Sequence, residues 1–445
     1  MNELEVFTNK IIEICENNAQ RMDIFTARQI IKEINTFLYT APSNIGVVTE
    51  FGTEFPYFSA FHKYWHLHHK EILNLTIDED ACEKVADALH EVYVRTNGKA
   101  FAEVYDTNGL DSKDVCRVRL LSANQDFRGS RSFESLSKIF NSDPTIFDEF
   151  AINESPEDFV KSIGITGLSQ NDKRVQYAKR ISQFVIDHGT DPYGIIEVFG
   201  HDVTALRNAL ITYEGAGYGN KKTDMFIRDM VVLGVWKDVE GFDKIDVASD
   251  INTIRVALRT GILKSEIPLV SSFLDIFCYQ YGYVDETNAL AWRRVWEIWN
   301  EKYANESIES PCLLDYFIYN VVGKQFCKFS LYYFVCEKEH GFYWHSSQNK
   351  TCQICYKETG VRNPAKLLCK RMPCECEEGA IAIDKTGFVR SNMANPNYHQ
   401  CPFKEICDEF GNRDLMPPKS ISIMGQTGWS SAYTRENSGG GGLMA

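Results

Sequence analysis

Apolar positions recur at three- and four-residue spacing through most of the first 330 residues, the period of one buried helix face. NKIIEICENN (9–18), ARQIIKEINTFLY (27–39) and ACEKVADALHEVYV (81–94) show it near the N-terminus. From Cys116 to Leu263 the stripe returns in RVRLLSANQ, RSFESLSKIF, PEDFVKSIG, DKRVQYAKRISQFVIDHG, DVTALRNALITY, KKTDMFIRDMVVLGVW and DINTIRVALRTGIL, separated by short joints containing Gly or Asp. VSSFLDIFCYQYGY, ALAWRRVWEIWNEKYAN and LLDYFIYNVVGKQF carry it to residue 326. The alternation of a half-buried strand is almost absent, so the pattern predicts an all-α fold. Beyond residue 330 the period stops, and an irregular, cysteine-rich stretch runs to about 410. The remaining tail is Ser/Gly-rich and is expected to be flexible. The expected divisions are a helical N-terminal extension over 1–110, a helical core over 111–330, a metal-binding region over 331–415 and a tail over 416–445. No internal repeat is present.

The chain has 445 residues, 44% of them hydrophobic, enough for two to three domains with substantial cores. No run is long and apolar enough for a membrane helix, and MNELEVFTNK lacks the basic and apolar regions of a signal peptide. A cytoplasmic monomer without membrane contact is expected, with residues 1–110 as a surface for a protein partner. The formal net charge of -14 excludes a protein that coats nucleic acid by charge alone. Residues 1–320 hold nearly all of the acidic excess, whereas 321–425 is slightly basic. A nucleic-acid site would therefore be a positive strip on an acidic body.

Fourteen cysteines are unevenly distributed. Cys15, Cys82, Cys116 and Cys278 are scattered and read as core residues. The other ten lie between Cys312 and Cys407. In a chain without a secretory signal such crowding favours metal over disulfides. Cys336, His340, His345, Cys352 and Cys355 include a C-x2-C pair with the ligand types of a tetrahedral zinc site. Such a staple would either present a recognition surface or stabilise a long loop. In FPYFSAFHKYWHLHHK (55–70), His62, His66, His68 and His69 invite a metal reading, but an aromatic helix with histidines at its edge fits better.

Gly217-Tyr218-Gly219-Asn220-Lys221-Lys222-Thr223-Asp224 lies between two helical stretches. Its glycines permit a tight hairpin whose N–H groups can approach a phosphate at the following helix N-terminus. Taken alone, the pattern also describes an ordinary capping turn. Some thirty residues later Asp250 opens DINTIRVALRTG, where an aspartate is ordinarily an N-cap.

In order and combination these blocks resemble the helix-hairpin-helix (HhH-GPD) DNA glycosylases, especially the endonuclease III branch, with some likeness to the 8-oxoguanine glycosylases. LLSANQDF (120–127) resembles the helix end whose small and amide residues fill the gap left by a flipped base. DFVKSIGITGLSQNDKRVQYAKRISQFVIDHG resembles the next two helices, and GYGNKK (217–222) the hairpin. DYFIYNVVGKQFC, ending in Cys327, resembles the helix that delivers the first cysteine of a [4Fe–4S] cluster. Cys401 and Cys407, with five residues between them, resemble the final pair. The likeness covers roughly 110–410 apart from a large insertion.

The resemblance implies a two-lobed helical glycosylase core acting on double-stranded DNA that contains a damaged or modified base. Lys221 and Asp250 take the catalytic positions, and Asn124, Gln125, Gly217, Gly219, Asn220, Lys222 and Arg255 become DNA-binding candidates. The cluster would take Cys327, Cys401, Cys407 and one of Cys369, Cys374 or Cys376. It would fix a loop whose Lys370, Arg371 and Lys404 could meet phosphates. Departures are clear: about seventy residues separate Cys327 from Cys401, position 398 is Tyr398 where a cysteine is usual, and the hairpin lacks its leading Leu-Pro. Two other functions compete, in base repair or in antiphage defence alike. One is a glycosidase acting on RNA, a nucleotide or a modified phage base; the other is a hairpin protein that holds nucleic acid without catalysis. Binding alone needs neither Lys221 nor Asp250.

Overall fold

The computed structural model describes residues 69–71, 73–102, 104–127, 131–168, 170–265, 282–327 and 401–407. It also describes short pieces at 6, 9–10, 13–14, 47–50, 53–56, 332–336, 342–345, 369–371, 374–375, 381–383 and 386–388. His62, His66, His68, His340, Cys352, Cys355 and Cys376 lie outside these residues.

The long described spans are predominantly helical. In order they are α1 (Glu79–Thr96), α2 (Ser112–Ser122), α3 (Phe133–Ser142), α4 (Glu149–Glu154), α5 (Pro156–Ser162) and α6 (Asn171–Asp187). Then come α7 (Ile195–Val198), α8 (Val203–Thr212), α9 (Asn220–Val232), α10 (Ile251–Thr260) and α11 (Gly282–Lys302). A last helical stretch tightens over Pro311–Leu313, makes one α-turn and widens to a π-helix over Phe317–Phe326.

The polar joints between apolar stripes explain where these helices start. Asp111 accepts the Asp114 N–H at 2.9 Å, Asp148 those of Phe150 and Ala151 at 3.1 and 2.9 Å, and Asp202 those of Thr204 and Ala205 at 2.8 and 3.2 Å. Each carboxylate satisfies amides that have no carbonyl within the helix and complements the positive end of its dipole. Pro156 occupies the first turn of α5, where its missing N–H costs nothing.

The chain divides into two compact units. The first comprises 1–88, 251–291 and 318–445; the second comprises 89–250 and 292–317. The boundaries expected at 110 and 330 do not coincide with this interleaved division.

In the second unit α4 and α5 pack on α6, and α8 packs on α9. Its core includes Phe147, Phe184, Phe226, Trp292 and Trp299, none with more than 1% exposure. A side chain of this size contributes about 1.5–3 kcal/mol on full burial. Phe101 stands 5.2 Å from both Trp299 and Phe317, ring centre to ring centre, and Trp299 donates its indole N–H to the Glu306 carbonyl at 2.9 Å.

In the first unit β3 (Thr76–Ile77) and β4 (Leu263–Lys264) form an antiparallel pair, after the hairpin of β1 (Val47–Glu50) and β2 (Thr53–Pro56). Gly323 packs against α10: a Cβ there would lie 2.9 Å from the Asn252 Cβ and 3.1 Å from the Ile318 carbonyl oxygen. The cysteine-rich stretch contains strands where the sequence predicts irregular chain. β5 (Tyr332–Cys336) is flanked by β6 (Phe342–His345) and β7 (Cys369–Arg371). β8 (Cys374–Glu375), β9 (Ile381–Ile383) and β10 (Thr386–Phe388) make a second sheet. Tyr332–Cys336 and Phe342–His345 are rich in aromatic residues, which favour strands, but the runs are too short to show a period.

Candidate active site

The site is built from the hairpin between α8 and α9. Gly215 and Gly217 turn the chain through left-handed backbone at φ +77° and +72°. At Gly217 the need is also steric, since a Cβ would fall 2.5 Å from the Tyr177 ring. The hairpin is sewn to the end of α2: Tyr218 donates its hydroxyl to the Leu120 carbonyl at 2.6 Å. The Asn124 amide donates to the carbonyls of Ala216 and Tyr177, each at 2.9 Å.

From this fixed turn α9 begins behind an exposed Gly219, which gives it no side-chain cap. The first bond into the helix is Thr223 N–H to the Gly219 carbonyl at 3.0 Å. The N–H groups of Asn220, Lys221 and Lys222 precede it and have no carbonyl four residues back in the helix. Such an N-terminus suits an anion.

Lys221 and Asp250 converge here. The Lys221 Nζ stands 3.7 Å from Asp250 Oδ2, with the lysine side chain 49% exposed and the aspartate 9%. Two turns further along the same face of α9, Arg228 is buried and pairs with both Asp229 and Asp315. Arg119 adds a bond to Asp229 at 2.9 Å. Burial pushes the Asp315 carboxyl up to about 6; Arg228 opposes this, the negative charge of Asp250 reinforces it, and Lys221 opposes it more weakly. A buried acidic layer thus underlies the lysine–aspartate pair. Charged residues are rarely buried without partners, so an acid inside the apolar DYFIYNVV stretch is the sequence signal that would have marked Asp315.

Lys222 points the other way. Its Nζ donates to the Asn124 carbonyl at 2.8 Å and lies 4.8 and 5.6 Å from the ring centres of Phe127 and Tyr177. Burial lowers its pKa to about 8, partly countered by Asp126. It is a packed hairpin lysine, not a solvated one, and its contact with a phosphate would require it to leave this bond.

Three expected DNA contacts are corrected. Asn124 is 0% and Gln125 4% exposed, and the Gln125 amide donates to the Arg174 carbonyl and to Asn124 Oδ1 at 3.0 and 3.1 Å. They hold the turn together, so neither presents its amide to a duplex. Arg255, only 2% exposed, lies on the inner face of α10, 3.5 Å from Asn252 Oδ1; a guanidinium buried this deeply cannot reach a phosphate. Gly219 and Asn220 are exposed, and Gly217 is partly so.

For metals, Cys401 is buried and its thiol is pushed up to about 12, first by burial and then by the nearby Cys327 side chain, while the Phe403 N–H donates to its sulfur. The Cys407 N–H returns to the Phe403 carbonyl at 2.8 Å, closing a tight turn over Cys401–Cys407. An amide aimed at a buried sulfur beside a second thiol suits thiolate ligation. Among the described residues no group of three or more His, Cys, Asp or Glu is arranged to hold a metal ion.

Of the zinc candidates, Cys336 and His345 lie among the described residues. Cys336 faces Cys369 across β5 and β7, whereas His345 faces Tyr332. Four residue steps along β5 separate the two register positions. His69 is 8% exposed and its ring lies 6.0 Å from that of Tyr283. Among the described residues no helix is long and apolar enough to cross a membrane. The chain matches no family model and no curated protein.

Proposed function

We propose that this chain is a DNA N-glycosylase with lyase activity, built on a two-lobed HhH-GPD-type core, that extrudes a damaged or modified base from duplex DNA. The observation that carries the proposal is the 3.7 Å approach of Lys221 to Asp250 at the exposed start of α9. A non-catalytic hairpin needs amides for a phosphate, but no lysine–carboxylate pair beside them.

In this reading the Lys221 amine attacks the sugar C1′ after losing its ammonium proton. The new C1′–N bond forms as the glycosidic bond breaks, and the bonding electron pair leaves with the base. Asp250 stabilises the positive charge that develops on the sugar and can accept the proton from the amine. Loss of a second proton from the attached nitrogen is followed by ring opening: the nitrogen lone pair forms C1′=N as the C1′–O4′ bond breaks, and O4′ takes up a proton, giving the Schiff base. β-Elimination of the 3′ phosphate then cuts the strand. The uncapped amides of α9 hold a neighbouring phosphate and fix the reach of Lys221.

A [4Fe–4S] cluster belongs to the same reading as a structural staple, held by Cys327, Cys401, Cys407 and a fourth thiolate. Since Cys369 faces Cys336, we assign it to the insertion's own metal site, with Cys374 or Cys376 completing the cluster. Zinc is the metal proposed for the insertion. The protein acts in the cytoplasm as a monomer.

Incubation with duplex oligonucleotides that carry single damaged or modified bases tests this. Release of free base with strand cleavage is expected for at least one lesion. Tight duplex binding with no product from any lesion contradicts the proposal, and so does cleavage of RNA or free nucleotides without any action on duplex DNA.

A further inference from the structure

We propose that Phe127, and not Asn124 or Gln125, is the side chain that enters the base stack beside the extruded nucleotide. The inference rests on the glycosylase reading and specifies its contact with the duplex.

The two amides are committed inside the protein, which leaves Asp126 and Phe127, the next residues of the chain, to meet the duplex. The backbone turns once more here, with Asp126 N–H bonded to the Ala123 carbonyl at 3.1 Å and Phe127 N–H to the Gln125 carbonyl at 2.9 Å. Asp126 is exposed and Phe127 partly so. An aspartate is repelled by the phosphate backbone, whereas an aromatic ring stacks on any base.

Phe127 is also braced. Arg174, 0% exposed, stands 4.1 Å from the ring centre and donates to the carbonyls of Gln125 and Phe127 at 2.9 and 2.6 Å. Lys222 lies 4.8 Å from the ring centre and Tyr177 packs edge-on at 5.6 Å. Side chains from α6 and α9 therefore fix the ring before any DNA arrives, which removes an ordering cost from binding. Lys222 follows Lys221 in the chain, so the braced ring is tied to the start of the helix that carries the lysine proposed to attack. Apolar wedges that separate base steps work in this way.

The test uses the full-length protein and an oligonucleotide whose lesion it processes, as duplex and as single strand. Single-turnover rates are measured for wild type, Phe127→Ala and Phe127→Leu, with thermal melting of each. Phe127→Ala should slow duplex cleavage on the order of 10- to 100-fold and leave single-strand cleavage within about threefold, because only the duplex contains a stack to open. Phe127→Leu should recover part of the duplex rate. Unchanged duplex cleavage by Phe127→Ala overturns the inference. Equal losses on duplex and single strand also overturn it, since they mark a ring that serves folding alone; the leucine variant and the melting curves identify that case. Wild-type protein that cleaves neither form of any lesion-bearing strand overturns the glycosylase reading itself.

Discussion

Lys221 and Asp250 stand 3.7 Å apart although they belong to different polar joints of the chain, one opening α9 and the other preceding α10. The pair is asymmetric. Its lysine is half exposed, while the aspartate is nearly buried and its charge is felt at Asp315. Charges interact more strongly across such a partly buried, low-dielectric setting than they do in water. An exposed lysine can move from the aspartate to a substrate.

The hairpin geometry makes Gly217 and Gly219 unequal. Gly217→Ala adds a methyl group 2.5 Å from the Tyr177 ring at φ +72° and should destabilise the protein by about 2–4 kcal/mol, combining left-handed strain with overpacking. Gly219 has φ -102° and open space around its Cβ position, so Gly219→Ala should cost under about 1 kcal/mol, chiefly as a poorer N-cap. Urea denaturation of both variants measures the contrast. Equal effects would contradict the described turn.

Asn124 is a structural clamp in this arrangement. Asn124→Ala removes the donor from the buried carbonyls of Tyr177 and Ala216 and should cost on the order of 2–4 kcal/mol. Binding of an already single-stranded oligonucleotide, measured well below the melting temperature, should change little. A stable variant that loses affinity would return Asn124 to the DNA surface.

Lys222 makes stability depend on alkaline pH. Its folded pKa of about 8 lies below the ordinary 10.5, so the folded protein releases this proton before the unfolded chain does. The resulting stabilisation is complete above about 10.5 and is lost as pH falls from there to about 8. Relative to Lys222→Met, wild type should therefore gain on the order of 2 kcal/mol between about pH 8 and 10. Denaturation curves for both proteins across that range test it; a constant difference would contradict the buried amine.

Helical periodicity and the aspartate joints made the helices legible in the sequence, because both are local signals. The hairpin was legible for the same reason: two glycines before Asn220 and Lys221 announce a turn and a helix start. Burial within the site was not legible. Asn124, Gln125 and Arg255 are polar residues that sequence reasoning sends to the surface, and only the partners that α6, the hairpin and α10 bring to them account for their position inside. Asp315 lies 65 residues beyond Asp250 in sequence, yet the charges of Asp250 and Lys221 act on it, a relation set by tertiary packing. The strand pairing of Cys336 with Cys369 is likewise a long-range register that cysteine spacing cannot convey.

Borohydride trapping puts the proposed chemistry of Lys221 and Asp250 to its sharpest test. Wild-type protein is mixed with duplex DNA carrying the lesion it processes, or an abasic site, and reduced during turnover. The expected product is a covalent protein–DNA adduct that maps to Lys221, disappears in Lys221→Gln, and falls at least about 100-fold in rate in Asp250→Asn with duplex affinity retained. An adduct that persists in Lys221→Gln, or an Asp250→Asn variant that turns over at the wild-type rate, would contradict the assignment of this pair.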